Sequence, residues 1–102
     1  MTIQLQTPEQ VGRLVRAARI AQHLRQDDAA GAMGVSDVFL WKLEKGAPGV
    51  RLEKLLQVLR SLGVTLYAET SNEVAARYQK LVEASAPRRH ARRRPAAKSA
   101  PP

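Results

Sequence analysis

The sequence predicts a mainly α protein of four to five short helices, with one β-strand near its C-terminal end and a basic tail after it. Three observations carry that prediction. Apolar residues recur at helical spacing through successive segments, most cleanly at Leu52, Leu55, Leu56, Leu59 and Leu62. Proline or glycine punctuates the segment ends, at Pro8, Gly34, Gly46 to Gly49, and Gly63. Strict alternation of apolar and polar residues is confined to Val64-Thr65-Leu66-Tyr67-Ala68-Glu69.

Residues 1–7 have no periodic pattern and are expected to form a flexible N-terminus. Thr7-Pro8-Glu9 then starts a helix, with Thr7 as N-cap, proline at the first helical position and an acid in the first turn. Val11, Leu14, Val15, Ala18, Ala21 and Leu24 give it an inner face, and Arg13, Arg16 and Gln22 line the others. A short second helix fits Gln26 to Met33, with Ala29, Ala30 and Met33 inward, and Gly34 ends it as a left-handed residue would. Ser36 caps a third helix that reaches about Lys45 on a core stripe of Leu40 and Leu43. The fourth runs roughly from Arg51 to Leu62 on its leucine stripe.

The strand at 64–69 has no second strand in the chain to pair with, and a single strand is not stable in water. The same strand of a second copy, across a two-fold axis, satisfies it. A domain at 8–70 is therefore expected to dimerise through Val64, Leu66 and Tyr67. Residues 71–85 fit a fifth helix, with Val74, Ala75, Tyr78, Leu81 and Val82 on one side. From 86 to 102 the composition is Pro, Ala, Arg and Lys, which cannot bury apolar surface, so a disordered tail is expected.

The bulk composition narrows function by exclusion. A chain of 102 residues fits one small domain. It holds no cysteine, which removes a disulfide framework and any thiolate zinc site and fits a reducing cytoplasm. His23 and His90 are too isolated for a metal site, so no metal or cofactor is expected. No nucleophilic cysteine, phosphate-cradling glycine loop or convergent carboxylate pair is present, so catalysis is not expected. MTIQLQTPEQ carries no apolar run, and no signal peptide or membrane span is expected. The net charge is +8, but residues 1–85 carry 11 Lys/Arg against 9 Asp/Glu, a net of only +2. The other six positive charges, Arg88, Arg89, Arg92, Arg93, Arg94 and Lys98, lie in the tail.

Two short helices joined by a glycine-containing turn form the helix-turn-helix pattern. Gln26 opens the first, Ala30 occupies its small-residue crossing position, Gly34-Val35-Ser36 makes the turn, Leu40 and Leu43 face inward, and Glu44-Lys45-Gly46 closes the unit. Over roughly residues 9–63 this resembles the Xre (Cro/repressor-type) family of DNA-binding domains. The VTLYAE strand narrows the likeness to HipB-type antitoxins, whose equivalent strand builds a dimer. The resemblance implies that Gln26 contacts a phosphate, that Asp37, Val38 and Lys42, with Trp41 adjacent, read bases, and that Arg19 and Glu44 form a buried ion pair. It also implies a HipA-like kinase toxin as partner. This chain departs from the family pattern in having Arg25 where Thr or Ser often caps the helix, Asp37 and Val38 where several relatives carry Gln or Arg, and Trp41 in place of a small polar residue.

The third helix, turned at 100° per residue, presents Val38, Trp41, Lys42 and Lys45 away from its leucines. Val38 can touch thymine methyl groups, and Lys42 can donate to guanine O6 and N7. Trp41 fits either a sugar or methyl contact in a groove or burial against a protein element. Lys45 reaches a phosphate or stays solvated, as do Arg51 and Lys54 at the start of the fourth helix. Asp37 either accepts from cytosine N4 or stabilises the helix N-terminus, and Phe39 is a packing residue. The tail adds salt-sensitive phosphate contacts, wraps an acidic partner, or serves only solubility. The expectation is a cytoplasmic, nucleoid-associated repressor that binds a palindromic operator on double-stranded DNA as a homodimer, with no membrane role, and that neutralises a HipA-type toxin. The alternatives are a stand-alone Xre-family repressor, a protein-interaction module that has lost base reading, and a non-specific compactor driven by the tail.

Overall fold

The computed structural model describes residues 1–85; the basic tail expected at 86–102 lies outside them. Five helices follow in order: α1 Pro8–Ala21, α2 Gln26–Met33, α3 Asp37–Glu44, α4 Leu52–Ser61 and α5 Asn72–Ser85. By their contacts the chain divides after Leu66 into two units, the first with helices α1 to α4 and the second with α5.

The first unit holds the core. Val15 of α1, Ala29, Ala30 and Met33 of α2, Val35 of the turn, Leu40 and Leu43 of α3, and Val58, Leu59 and Leu62 of α4 are buried together. Burial of a side chain such as Leu40 or Leu59 contributes roughly 1.5–3 kcal/mol, so these few residues carry most of the stability of so small a bundle. The small side chains of Ala29 and Ala30 let α2 lie close to its neighbours.

Local chemistry sets the helix ends. Thr7 accepts from the Gln10 N–H at 3.2 Å, and Ser36 accepts from the Phe39 N–H at 3.0 Å. Gly34 ends α2 at φ 75°, a left-handed value that a side chain disfavours. There the Val35 N–H donates to the Ala30 carbonyl at 3.0 Å, which turns the chain directly into the Ser36 cap. α2 and α4 have no side-chain cap.

Three side chains close carbonyls at helix ends and in the α1–α2 loop. Gln57 Nε2 of α4 donates to the Met33 carbonyl at 2.6 Å, tying α4 to the last residue of α2. Gln22 Nε2 donates to the Leu62 carbonyl at 2.8 Å, and Arg19 Nη1 to the Leu24 carbonyl at 2.9 Å. α1 crosses α3 so closely that a Cβ on Gly12 would stand 2.5 Å from the Leu43 carbonyl oxygen.

Two expectations, the inner face of α4 and the place of Ala21, are corrected. The leucine stripe of α4 does not all turn inward: Leu52 is 65% and Leu56 40% exposed, while Val58 is buried. The helix is rotated so that Val58, Leu59 and Leu62 form the inner face, leaving Leu52 and Leu56 along its edge. Ala21, expected inward, is exposed. Residues 64–69 form no strand within the single chain; a ladder needs a second strand, and among the described residues there is none. Val64 is half-buried against the core, whereas Leu66 and Tyr67 are exposed. In the second unit α5 is amphipathic, but Val74, Tyr78, Leu81 and Val82 are exposed and the helix has no buried residue.

Candidate nucleic-acid interface

α2, the turn at Gly34-Val35-Ser36 and α3 together make a helix-turn-helix. Leu40 and Leu43 anchor α3 in the core, and the Gly12 approach fixes its C-terminal end against α1. With those contacts made, the opposite face of α3 is committed to solvent. Val38 is 61% and Trp41 51% exposed there, and Asp37, Lys42 and Lys45 are exposed as well.

Trp41 and Lys45 lie one helical turn apart, and Lys45 Nζ stands 5.6 Å from the centre of the indole ring. That is cation–π distance, so the ammonium covers one side of the ring. Lys42 makes no ion pair among the described residues, so its three donors are open to a ligand. Asp37 also lacks an ionic partner among these residues and occupies the first turn of α3, where a negative charge suits the helix dipole.

Arg19 and Glu44 form a two-pronged ion pair behind this face. Arg19 Nε meets Glu44 Oε2 at 2.6 Å, and Nη2 meets Oε1 at 2.8 Å. The side chains are only 12% and 4% exposed. The hydrogen bond to Glu44 raises the Arg19 pKa above its ordinary value, with the carboxylate charge adding to it and burial opposing. Gln26 joins the group, its Nε2 donating to Glu44 Oε1 at 3.2 Å. The start of α2 is thereby tied to the end of α3. An amide nitrogen carries two N–H donors, which leaves one for another acceptor.

The other expected phosphate contacts are separate from this group. Arg51 turns its guanidinium to Glu53 at 3.4 Å, an exposed pair, and Lys54 is half-buried. Arg25, in the N-cap position of α2, makes an exposed ion pair with Asp27 at 3.3 Å instead of a cap. The Asp27 carboxyl is held below its ordinary range first by the Asp28 main-chain N–H and then by Arg25. Val64, Leu66 and Tyr67 are distant in sequence from the α3 face. Leu56, Leu59, Val64 and Leu66 line a shallow groove with Arg60. Among the described residues no group of His, Asp or Glu is arranged to hold a metal ion, and no helix is long and apolar enough to cross a membrane.

Sequence reasoning missed Gln57 and Gln22, whose carbonyl partners are 24 and 40 positions away. No local pattern marks such bonds. Gly12 was missed too, since a glycine inside a helical stretch reads only as a cost of about 1 kcal/mol against alanine and does not say what it packs on.

A family model described as a helix-turn-helix domain matches residues 10–70. A protein of Sinorhizobium fredii described as an HTH-type transcriptional regulator, y4mF, is 44% identical over 66 residues, covering 65% of this chain and 87% of that protein. Among solved structures, HipB in a complex with an O4 20mer superposes with a TM-score of 0.62 at 15% identity, over 70% of this chain and 100% of that one. A chain of the HipA-HipB-O2-O3 complex superposes equally well. The clp gene regulator ClgR from C. glutamicum gives a TM-score of 0.54 at 27% identity, over 65% of this chain and 85% of that one. At 15% identity the likeness to HipB is one of fold.

Proposed function

The chain belongs to the helix-turn-helix family and shares its fold with HipB, and from that premise we propose that it is an Xre-type repressor that binds an inverted-repeat operator as a homodimer. One observation carries the proposal: the solvent-facing side of α3, held rigid from behind by Leu40, Leu43 and the Arg19–Glu44 pair, presents Val38, Trp41, Lys42 and Lys45 together. A major groove admits a helix of that width. Lys42 is the donor to guanine, and Val38 and Trp41 make apolar contact. Gln26, Lys45, Arg51 and Lys54 contact phosphates. The start of α4 has no side-chain cap, which leaves first-turn N–H groups there open to an anion and suits that role.

Dimerisation through residues 64–69 follows from their chemistry. The N–H groups from Thr65 to Thr70 donate to no backbone carbonyl among the described residues, and Leu66 and Tyr67 are exposed beside them. Pairing with the same segment of a second copy satisfies both. A palindromic operator requires the two recognition helices one duplex turn apart, about 34–36 Å, and a two-fold pairing is what repeats the helix. A HipA-type kinase toxin is the proposed protein partner, supported by the shared fold with HipB in the HipA-HipB-O2-O3 complex.

A second reading, a protein-interaction module without base readout, is favoured by the exposed Val38 and Trp41. Selection from random duplex DNA, using the full chain and a chain ending at Ser85 at physiological salt, tests the first reading. One palindromic site recovered by both, with affinity reduced by Lys42→Ala and by Gln26→Ala, is the expected result. Retention of DNA by the full chain alone, with no consensus, contradicts it and assigns the binding to the tail. Retention by neither favours the interaction module.

A further inference from the structure

Val38 and Trp41 are three residues apart on α3 and so adjoin each other along one side of the helix. Both are more than half exposed. Leaving them in water has no benefit for the fold, since Leu40 and Leu43 already supply the inner face of α3. The polar neighbours do not break up this edge. Lys45 is drawn over the indole at 5.6 Å, which restrains the ring and puts its positive charge on the same side. Lys42 lies beyond Val38 at 100° per residue. The face is therefore an apolar strip with two cations beside it and, apart from Asp37 in the first turn, no acceptor.

Only one apolar group projects from a base edge into the major groove, the C5 methyl of a pyrimidine. Building on the operator reading above, we infer that Val38 and Trp41 are specificity-determining residues which select pyrimidine C5-methyl groups, those of thymine, at adjacent positions of each half-site. The isopropyl group of Val38 accepts one methyl. The free side of the Trp41 ring accepts a second, while the Lys45 ammonium on its other side faces the phosphate backbone. Lys42 reads a neighbouring guanine and fixes the register. Removal of a methyl that is buried in this way weakens binding about three- to fivefold, the effect of a lost CH2-sized contact.

The experiment uses the full chain and the duplex recovered by selection. Each thymine in a half-site is replaced in turn by deoxyuridine, which lacks only the methyl group. Two adjacent positions are expected to lose about three- to fivefold in affinity each. Val38→Ala is expected to bind thymine and uracil duplexes equally at one of them, and Trp41→Ala at the other. Both side chains are exposed, and circular dichroism with a thermal melt confirms that the variants fold. Equal binding of thymine and uracil duplexes at every position overturns the inference while leaving the operator reading intact. So does a methyl effect that persists in both variants, or a selected half-site without thymine. Failure to recover any site removes the operator reading and this inference with it.

Discussion

Glu44 is the most deeply buried of the ion-paired acids among the described residues. It is 4% exposed and accepts three hydrogen bonds, two from Arg19 and one from Gln26. Replacing a buried ion pair as a whole with apolar groups is often harmless, but removing one partner strands a charge out of water at about 3–5 kcal/mol. Glu44→Ala is therefore expected to lower unfolding stability by about that amount, a large share of the roughly 5–15 kcal/mol a small domain has. Urea unfolding followed by circular dichroism measures it, and a loss below about 1 kcal/mol contradicts the assigned role. The Arg19→Ala/Glu44→Ala pair is expected to cost much less than the two single losses added together. No local pattern links Arg19 to Glu44, which lie 25 positions apart; only the resemblance to a family suggested the pair. Helical spacing did turn Trp41 away from the leucines, as the structure has it, but spacing alone left open whether it meets a groove or a protein element.

The helices themselves were legible because their signals are local. Thr7 with Pro8, Gly34 and Ser36 act within three or four residues, and those caps form as their chemistry dictates. The rotation of α4 was not legible. Its leucines span more of the helix surface than the core can cover, and only the packed neighbours decide that Val58 goes in while Leu52 stays out. Close packing makes a sharp prediction at the α1–α3 crossing. Gly12→Ala puts a methyl group 2.5 Å from the Leu43 carbonyl oxygen, and the backbone there cannot yield without moving α3. A loss of about 1–3 kcal/mol in stability is expected, with DNA affinity reduced as well; an unchanged melting temperature contradicts the crossing.

α2 carries a pH dependence of known sign. Asp27 has its pKa lowered in the folded chain, by the Asp28 N–H and then by Arg25. Below its ordinary value of 3.8 the unfolded chain binds this proton more readily than the folded one. The stabilisation by Asp27 is therefore complete above that value and disappears as pH falls through the lower folded value. Thermal melts of the wild type and Asp27→Asn are expected to differ most near neutral pH and to converge under acid. A gap that widens on acidification contradicts the assignment.

For the molecule as a whole, a single chain leaves much unsatisfied: open N–H groups along 65–70, exposed Leu66 and Tyr67, and a fifth helix with no buried residue. The alternating pattern at 64–69 suggests a strand, yet no ladder forms among the described residues, because pattern alone cannot supply the second strand. The proposed dimer gives it one, and sedimentation equilibrium of the 11.2 kDa chain is expected to return twice that mass. Monomer at micromolar concentration contradicts the pairing, and with it the spacing of recognition helices that a palindrome requires. The tail at 86–102 lies outside the described residues, but its sequence adds six positive charges to a body of net +2. Its removal is accordingly expected to flatten the salt dependence of binding without changing the selected site.

The central claim is that the outer face of α3 lies against DNA, and Trp41, the only tryptophan in the chain, reports on that face directly. Acrylamide quenching of its fluorescence, with the free protein and with the protein saturated by the selected duplex, is the most direct measurement. A marked fall in quenching on saturation, reduced in parallel with affinity by Lys42→Ala, is the predicted result. A duplex that binds fully while Trp41 remains as accessible as before contradicts the account.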